Sequence, residues 1–269
     1  MPKLKMLMMI ASTLVVVGIV GVLFTFKSAG AGEEINDTKV IQNPNITEVS
    51  VESENATILV LPTSDDLISV TFEAKESKYD KYKFDINEEG DTLSIELKEK
   101  TIRFINFHLD FDFSGPKITV YLPEKQYEEL IVDNINGKIN VDSINVDNIN
   151  AKTVNGRIEI EETNTNSTTV SSENGSVILK HVNGDITSDL VNGSTTFITD
   201  NLNRSIDLES VNGKITVQTT EEPTNATIEV DVVNGKVSVF ENDTRSMVYG
   251  NGEHKIQLKT VNGSVTVSK

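Results

Sequence analysis

Between residues 135 and 267 one short phrase recurs eight times: Ile135-Asn-Gly-Lys-Ile-Asn-Val141, Val154-Asn-Gly-Arg-Ile-Glu-Ile160, Glu173-Asn-Gly-Ser-Val-Ile-Leu179, Val182-Asn-Gly-Asp-Ile186, Val191-Asn-Gly-Ser194, Val211-Asn-Gly-Lys-Ile-Thr-Val217, Val233-Asn-Gly-Lys-Val-Ser-Val239 and Val261-Asn-Gly-Ser-Val-Thr-Val267. From Asn136 the intervals run 19, 19, 9, 9, 20, 22 and 28 residues, so the period is 19 to 20 with 9 as its half. Repetition at that length is the mark of a stacked architecture. Asn and Gly tolerate positive φ, so each pair marks a sharp corner that leads straight into an apolar, polar, apolar strand.

Two folds use that grammar. An antiparallel meander would spend the Asn-Gly pairs as type I′ hairpin turns. A parallel solenoid would use them as corners, with like residues stacked on like in successive coils. The identity of the repeats favours the solenoid, expected to be a right-handed parallel β-solenoid. In it Val154, Val211 and Val233 form one apolar ladder, Ile158, Ile215 and Val237 form the next, and the Asn side chains bond along the stack. Asn145, Asn164 and Asn242, at the half period, should mark the opposite corners. Six coils at ~4.8 Å spacing make a rod of roughly 30 Å.

Upstream the composition changes. Residues 33–130 hold six Phe and four Tyr, whereas beyond residue 130 only Phe197, Phe240 and Tyr249 are aromatic and Pro223 is the single proline. Ile68–Ala74 and Thr92–Leu97 alternate apolar and polar as half-buried strands do, and Glu89-Gly90-Asp91 supplies a turn. The organisation expected is therefore residues 1–31 as cytoplasmic tip and transmembrane signal anchor, 32–44 as linker, 45–130 as an N-terminal β region capping the solenoid, and 131–269 as the repeat region.

The anchor rests on residues 6–26, a charge-free run of 21 residues between Lys5 and Lys27. At ~1.5 Å per residue it spans a hydrocarbon core of ~30 Å. A cleaved signal peptide is the competing reading, because Ala29-Gly30-Ala31 fits a small-residue cleavage site, but its apolar region usually runs ~7–15 residues. With Lys3 and Lys5 retained in the cytoplasm, the body is expected outside the cell membrane as a single-pass protein.

Charge excludes other classes. Removing Lys3, Lys5 and Lys27 leaves 21 bases against 41 acids, a net −20 over the body, and the four Arg are scattered. Such a surface repels nucleic acid. Without cysteine there is no thiol nucleophile, disulfide or Cys-based zinc site. The strand Ile105-Asn-Phe-His-Leu-Asp-Phe-Asp-Phe113 sets His108, Asp110 and Asp112 on one face, a spacing that can converge on a cation. Period-two alternation places polar residues on any solvated face without a metal, and no metal site is assigned.

The run Ile118-Thr-Val-Tyr-Leu-Pro123, then Leu130-Ile-Val-Asp-Asn-Ile-Asn-Gly-Lys-Ile139, then recurring Val-Asn-Gly-x-Ile resembles the bacterial "putative adhesin" family of unknown function over about residues 45–269. The resemblance implies an N-terminal membrane segment, an extracellular β-solenoid and, for some members, a link to cell-envelope stress response. It brings no catalytic residues, and no catalytic, cofactor or metal site is nominated.

The function expected is thus an adhesin-like or envelope scaffold protein, with cell-envelope proteins or wall polymers as partners. The alternative is a cell-wall polysaccharide-active enzyme on a β-helix. Glu159, Glu161 and Glu162 would be its acids, but the repeats carry no Trp, a single Tyr and no cleft-building loops. The residue after each Asn-Gly (Lys138, Arg157, Ser176, Asp185, Ser194, Lys214, Lys236, Ser264) changes sign along the sequence, which argues against a ladder of one charge. The last repeat ends two residues before the C-terminus, so the C-terminal coil is expected to be an open edge, available for self-association.

Overall fold

The computed structural model describes residues 34–75, 79–100 and 115–269, which form eighteen strands. Seven come first: β1 (Glu34–Val40), β2 (Glu48–Asn55), β3 (Thr57–Thr63), β4 (Ser69–Lys75), β5 (Tyr82–Glu89), β6 (Thr92–Glu99) and β7 (Lys117–Pro123). Four long ones follow: β8 (Gln126–Asp142), β9 (Asn145–Glu161), β10 (Ser167–Lys180) and β11 (Asp185–Thr199). The rest are β12 (Ile206–Asn212), β13 (Ile215–Thr219), β14 (Ala226–Asn234), β15 (Val237–Val239), β16 (Ser246–Val248), β17 (His254–Asn262) and β18 (Val265–Ser268).

Neighbouring coils pair in parallel, which rules out the meander. β8, β9, β10 and β11 stack with Ile139, Ile158, Val177 and Thr195 in one register. Each long strand bends at its Asn-Gly pair. In β8 the buried residues are Tyr127, then Leu130, Val132 and Asn134, then Ile139 and Val141, so the inward phase shifts at Glu128-Glu129 and again at Asn136-Gly137. One β-strand thereby serves two sheets that meet at the Asn-Gly corner, and the apolar columns of both close on one core. The column Val60, Val141, Ile160, Leu179, Phe197, Val217, Val267 and Val239 is buried throughout.

At the corner the Asn side chains form a continuous ladder. Each amide donates to the carboxamide oxygen of the next coil, from Asn136 to Asn55 at 2.6 Å, then Asn155 to Asn136 and Asn174 to Asn155 at 2.9 and 3.0 Å. It continues through Asn192, Asn212 and Asn262 and ends with Asn234 donating to Asn262 at 3.0 Å. The following glycine is needed for two reasons: Gly137, Gly193 and Gly235 have φ of 124°, 149° and 156°, as the sequence suggests, and the coils also approach closely here. A Cβ on Gly175 would lie 1.7 Å from the carbonyl oxygen of Gly156, so the coils approach too closely for any side chain. Non-glycine residues with positive φ lie at the opposite corner, among them Ser143, Glu162 and His181, with φ of 57°, 48° and 49°. There Asn164 donates to Asn145 and Asn183 to Asn164, at 2.9 and 2.7 Å. This second ladder explains the intervals of 9: the Val182-Asn183-Gly184 repeat belongs to the other corner. Asn242 does not join it, bonding instead to the carbonyl of Phe240.

Three expectations need correction. The composition change at 130/131 is not a break in the stack, since β2 pairs with β8 in parallel and Asn55 opposes Asn136. The N-terminal residues continue the coils outward through β3 with β7 and β2 with β6, and only then turn antiparallel, at β4 with β7 and β1 and at β5 with β6. The C-terminal coil is not the open end: β17 lies between β12 and β14, and β18 between β13 and β15. The outermost coil is β14–β15, covered in part by antiparallel β16. Finally, Val211 and Val233 do not line the interior, as described below. Among the described residues no helix is long and apolar enough to cross a membrane; residues 6–26 lie outside them.

Candidate functional site

Period-two alternation decides where each residue of the repeat points. In β9 Ala151 and Thr153 face inward, so Val154 faces outward, and after the bend Ile158 and Ile160 face inward again. The residue before the ladder Asn is therefore external in every coil. In stacking order these residues are Glu54, then Ile135, Val154, Glu173, Val191, Val211, Val261 and Val233. Among the aliphatic members exposure runs from 42% at Val261 to 66% at Val233, with Val154 half-buried. Glu173 interrupts the row, and the contiguous aliphatic run Val191, Val211, Val261 and Val233 is the kind of surface that marks a contact site.

The inward residue just before this stripe is small or polar in most coils and helps build the corner. Asn134 donates to the Ala56 carbonyl at 2.8 Å, Ser210 to that of Gly193 and Thr260 to that of Gly213, both at 3.1 Å. Two residues before the stripe lies an outward charged row: Asp133, Lys152, Ser171, Asp189, Glu209, Lys259 and Asp231. Between this row and the stripe runs a groove of about 550 Å³ over β9–β17, and a second of about 390 Å³ continues it over β2, β6 and β8.

Across the Asn ladder the next outward row is Lys138, Arg157, Ser176, Ser194, Lys214, Ser264 and Lys236. Asp185, which broke the run in sequence order, sits at the opposite corner, so this row holds four bases and no acid. The stripe thus has a basic flank on one side and a predominantly acidic one on the other.

The nominated acids do not form a catalytic pair. Lys138 reaches Glu159 at 2.6 Å, and Lys180 bridges Glu159 and Glu161. The Lys138 hydrogen bond holds the Glu159 carboxyl at about 2, against the opposing effect of burial. A general acid needs its pKa moved the other way. Glu162 is exposed at the left-handed corner. Burial does push the Asp189 carboxyl up, aided by Glu209 and Asp207, on the acidic wall of the groove.

His181 lies 3.6 Å from Asp200, and His254 of β17 pairs with Ala226 of β14; among the described residues neither meets a second histidine or an acid pair. Among the described residues no three His, Asp or Glu gather as a metal would require. His108, Asp110 and Asp112 lie outside the described residues.

The features point to one class: a β-solenoid whose repeat builds a rigid ladder on the inside of a corner and an apolar, charge-flanked stripe on its outside. The chain belongs to the Toastrack DUF4097 family, whose model matches residues 46–182 and again 132–268. No curated protein matches it in sequence. It is similar to solved structures of a "putative cell adhesion protein" from Clostridium sporogenes (13% identity, 88% of this chain and 99% of that one, TM-score 0.42) and a "putative adhesin" from Bacteroides fragilis (13%, 87% and 97%, TM-score 0.47). A "putative lipid binding protein" from Parabacteroides distasonis is similar over 88% of this chain and 98% of that one, at 16% identity and a TM-score of 0.43.

Proposed function

We propose that this is a non-enzymatic, adhesin-like envelope protein, tethered by its N-terminal segment with its body outside the cell, and that its contacts are made by the corner stripe. The observation that carries the reading is the outward row Ile135, Val191, Val211, Val261 and Val233, apolar surface exposed coil after coil on a backbone locked by the Asn ladder. A stiff scaffold loses little conformational entropy on binding, so even modest apolar contacts add to affinity. The tether is supported by the charge-free residues 6–26 between Lys5 and Lys27, and the link to envelope stress by the sequence resemblance alone.

The test is binding of the chain to isolated envelope fractions. Val191→Lys, Val211→Lys and Val261→Lys together should cut retention at least tenfold while leaving the thermal midpoint within a few degrees, because all three side chains already face solvent. Unchanged retention would remove the stripe from the account. The glycan-active alternative has one point in its favour, the raised Asp189 carboxyl in the groove. Release of reducing ends from wall glycan, lost in Asp189→Asn, would establish that alternative instead.

A further inference from the structure

We propose that the partner seated on this stripe is a second copy of the same chain, docked side by side, parallel and in register. The inference rests on the stripe being a contact surface and adds what occupies it.

Symmetry and charge select this arrangement. Two copies meeting stripe to stripe are related by a two-fold axis lying in the contact plane, either along the stripe or across it. An axis across the stripe makes the rods antiparallel and sets basic row against basic row. An axis along it makes them parallel and sets each basic row against the partner's acidic row. Lys236 then faces the partner's Asp231, Lys214 the partner's Glu209, which Lys259 also bridges within its own chain, and Lys138, already paired with Glu159, the partner's Asp133. Stripe and basic row are three residues apart in each coil, within about 10 Å, so both engage in one contact. Two levels are mismatched: Arg157 meets the partner's Lys152, and one coil away, about 4.8 Å along the rod, Glu173 meets its own copy across the axis. Like charge across an interface costs affinity and unlike charge fixes orientation, so the row pattern selects the parallel pair.

The shape is self-complementary in the same arrangement. Each stripe is a ridge with a groove on its acidic side, and parallel docking lets each ridge enter the other's groove. Seven levels at ~4.8 Å make the contact about 30 Å long. At roughly 10 Å in width it buries on the order of 600 Å² in total, below the ~1,200 Å² of specific stable complexes. The pair therefore forms where copies are concentrated on one surface in one orientation.

The native chain has no cysteine, so an introduced thiol reports alone. The full chain, in its membrane, is oxidised as single variants Ile135→Cys, Val211→Cys and, on the outward face of the other sheet, Thr216→Cys. Covalent dimers are expected from the first two and at least fivefold less from the third. Lys236→Glu should lower the Val211→Cys dimer yield at least threefold, and adding Asp231→Lys should restore it. Crosslinking of Ile135→Cys with Val233→Cys in mixed samples, with neither crosslinking to itself, would show antiparallel pairing and overturn the proposal. Equal yields from all three positions, or none from any, would overturn it as well. Loss of envelope retention by the lysine variants with no crosslink in the cysteine variants would leave the stripe a contact site for another partner and end the self-recognition claim.

Discussion

Gly175 and Gly90 show how the same residue type is required for different reasons. Gly90 has φ of 67° at the β5–β6 turn and open space around its Cα, so Gly90→Ala should cost only the ~1–2 kcal/mol of left-handed backbone. Gly175 has a stacked carbonyl where its Cβ would be, and separating the coils would stretch ladder bonds on both sides. Gly175→Ala should cost more than ~3 kcal/mol in a denaturant titration; equal costs for the two would refute the close-approach argument. The ion pair of Lys138 with Glu159 gives a second prediction. A carboxyl lowered to about 2 from its ordinary 4.5 contributes stability that is full above pH 4.5 and is lost as pH falls toward 2. Lys138→Met should therefore flatten the dependence of the unfolding midpoint on pH over that window and lower the midpoint at pH 6. A wild-type slope in the variant would show that the pair contributes nothing. The outward placement of Val211 and Val233 was legible in the sequence: counting alternate positions from Leu208 and Val230 puts both on the solvent side. Reading the Val-Asn-Gly-x-Ile phrase as one strand with a single phase hides this, because the phase shifts inside it.

At the scale of elements, the parallel pairing, the ~19-residue coil and the bonded Asn ladder follow from the repeat alone. The order of the coils does not. Sequence proximity places the 254–268 coil last, yet it is stitched between the β12–β13 and β14–β15 coils, and at the other end β6–β7 lie outside β2–β3. The longer interval of 28 residues before Asn262 was the available signal: the chain needs extra length to pass β16 and return beneath β14. Among the described residues both ends finish in antiparallel strands, β5 and β1 at one and β16 at the other, which limits the free parallel edge a solenoid must manage. A consequence separates this arrangement from a simple solenoid, in which deleting the last repeat leaves the others intact. Ending the chain at residue 253 should strip β14–β15 of the only parallel neighbours they have among the described residues. Hydrogen exchange in such a variant should lose protection over 226–239 as well as destabilise β12–β13. Retained protection over 226–239 would contradict the stitched order.

At the scale of the whole molecule, nine stacked levels put one face to use. The two sheets bury a common aliphatic core, and the other outward rows are mostly polar or charged. The corner is the exception, an apolar stripe with a groove beside it and opposite charges on its two flanks. Repetition explains how one short phrase produces it: every coil that adds an Asn to the ladder also adds an outward residue to the stripe. On the cell, this stripe is expected to be covered. Hydroxyl-radical footprinting of the native chain tests it most directly, comparing Val191, Val211, Val261 and Val233 in dilute purified protein and on intact, wall-stripped cells. All four should be oxidised readily in dilute solution and at least threefold less on cells, while Thr216 on the other sheet is accessible in both. Equal oxidation of the four valines in both settings would contradict the claim.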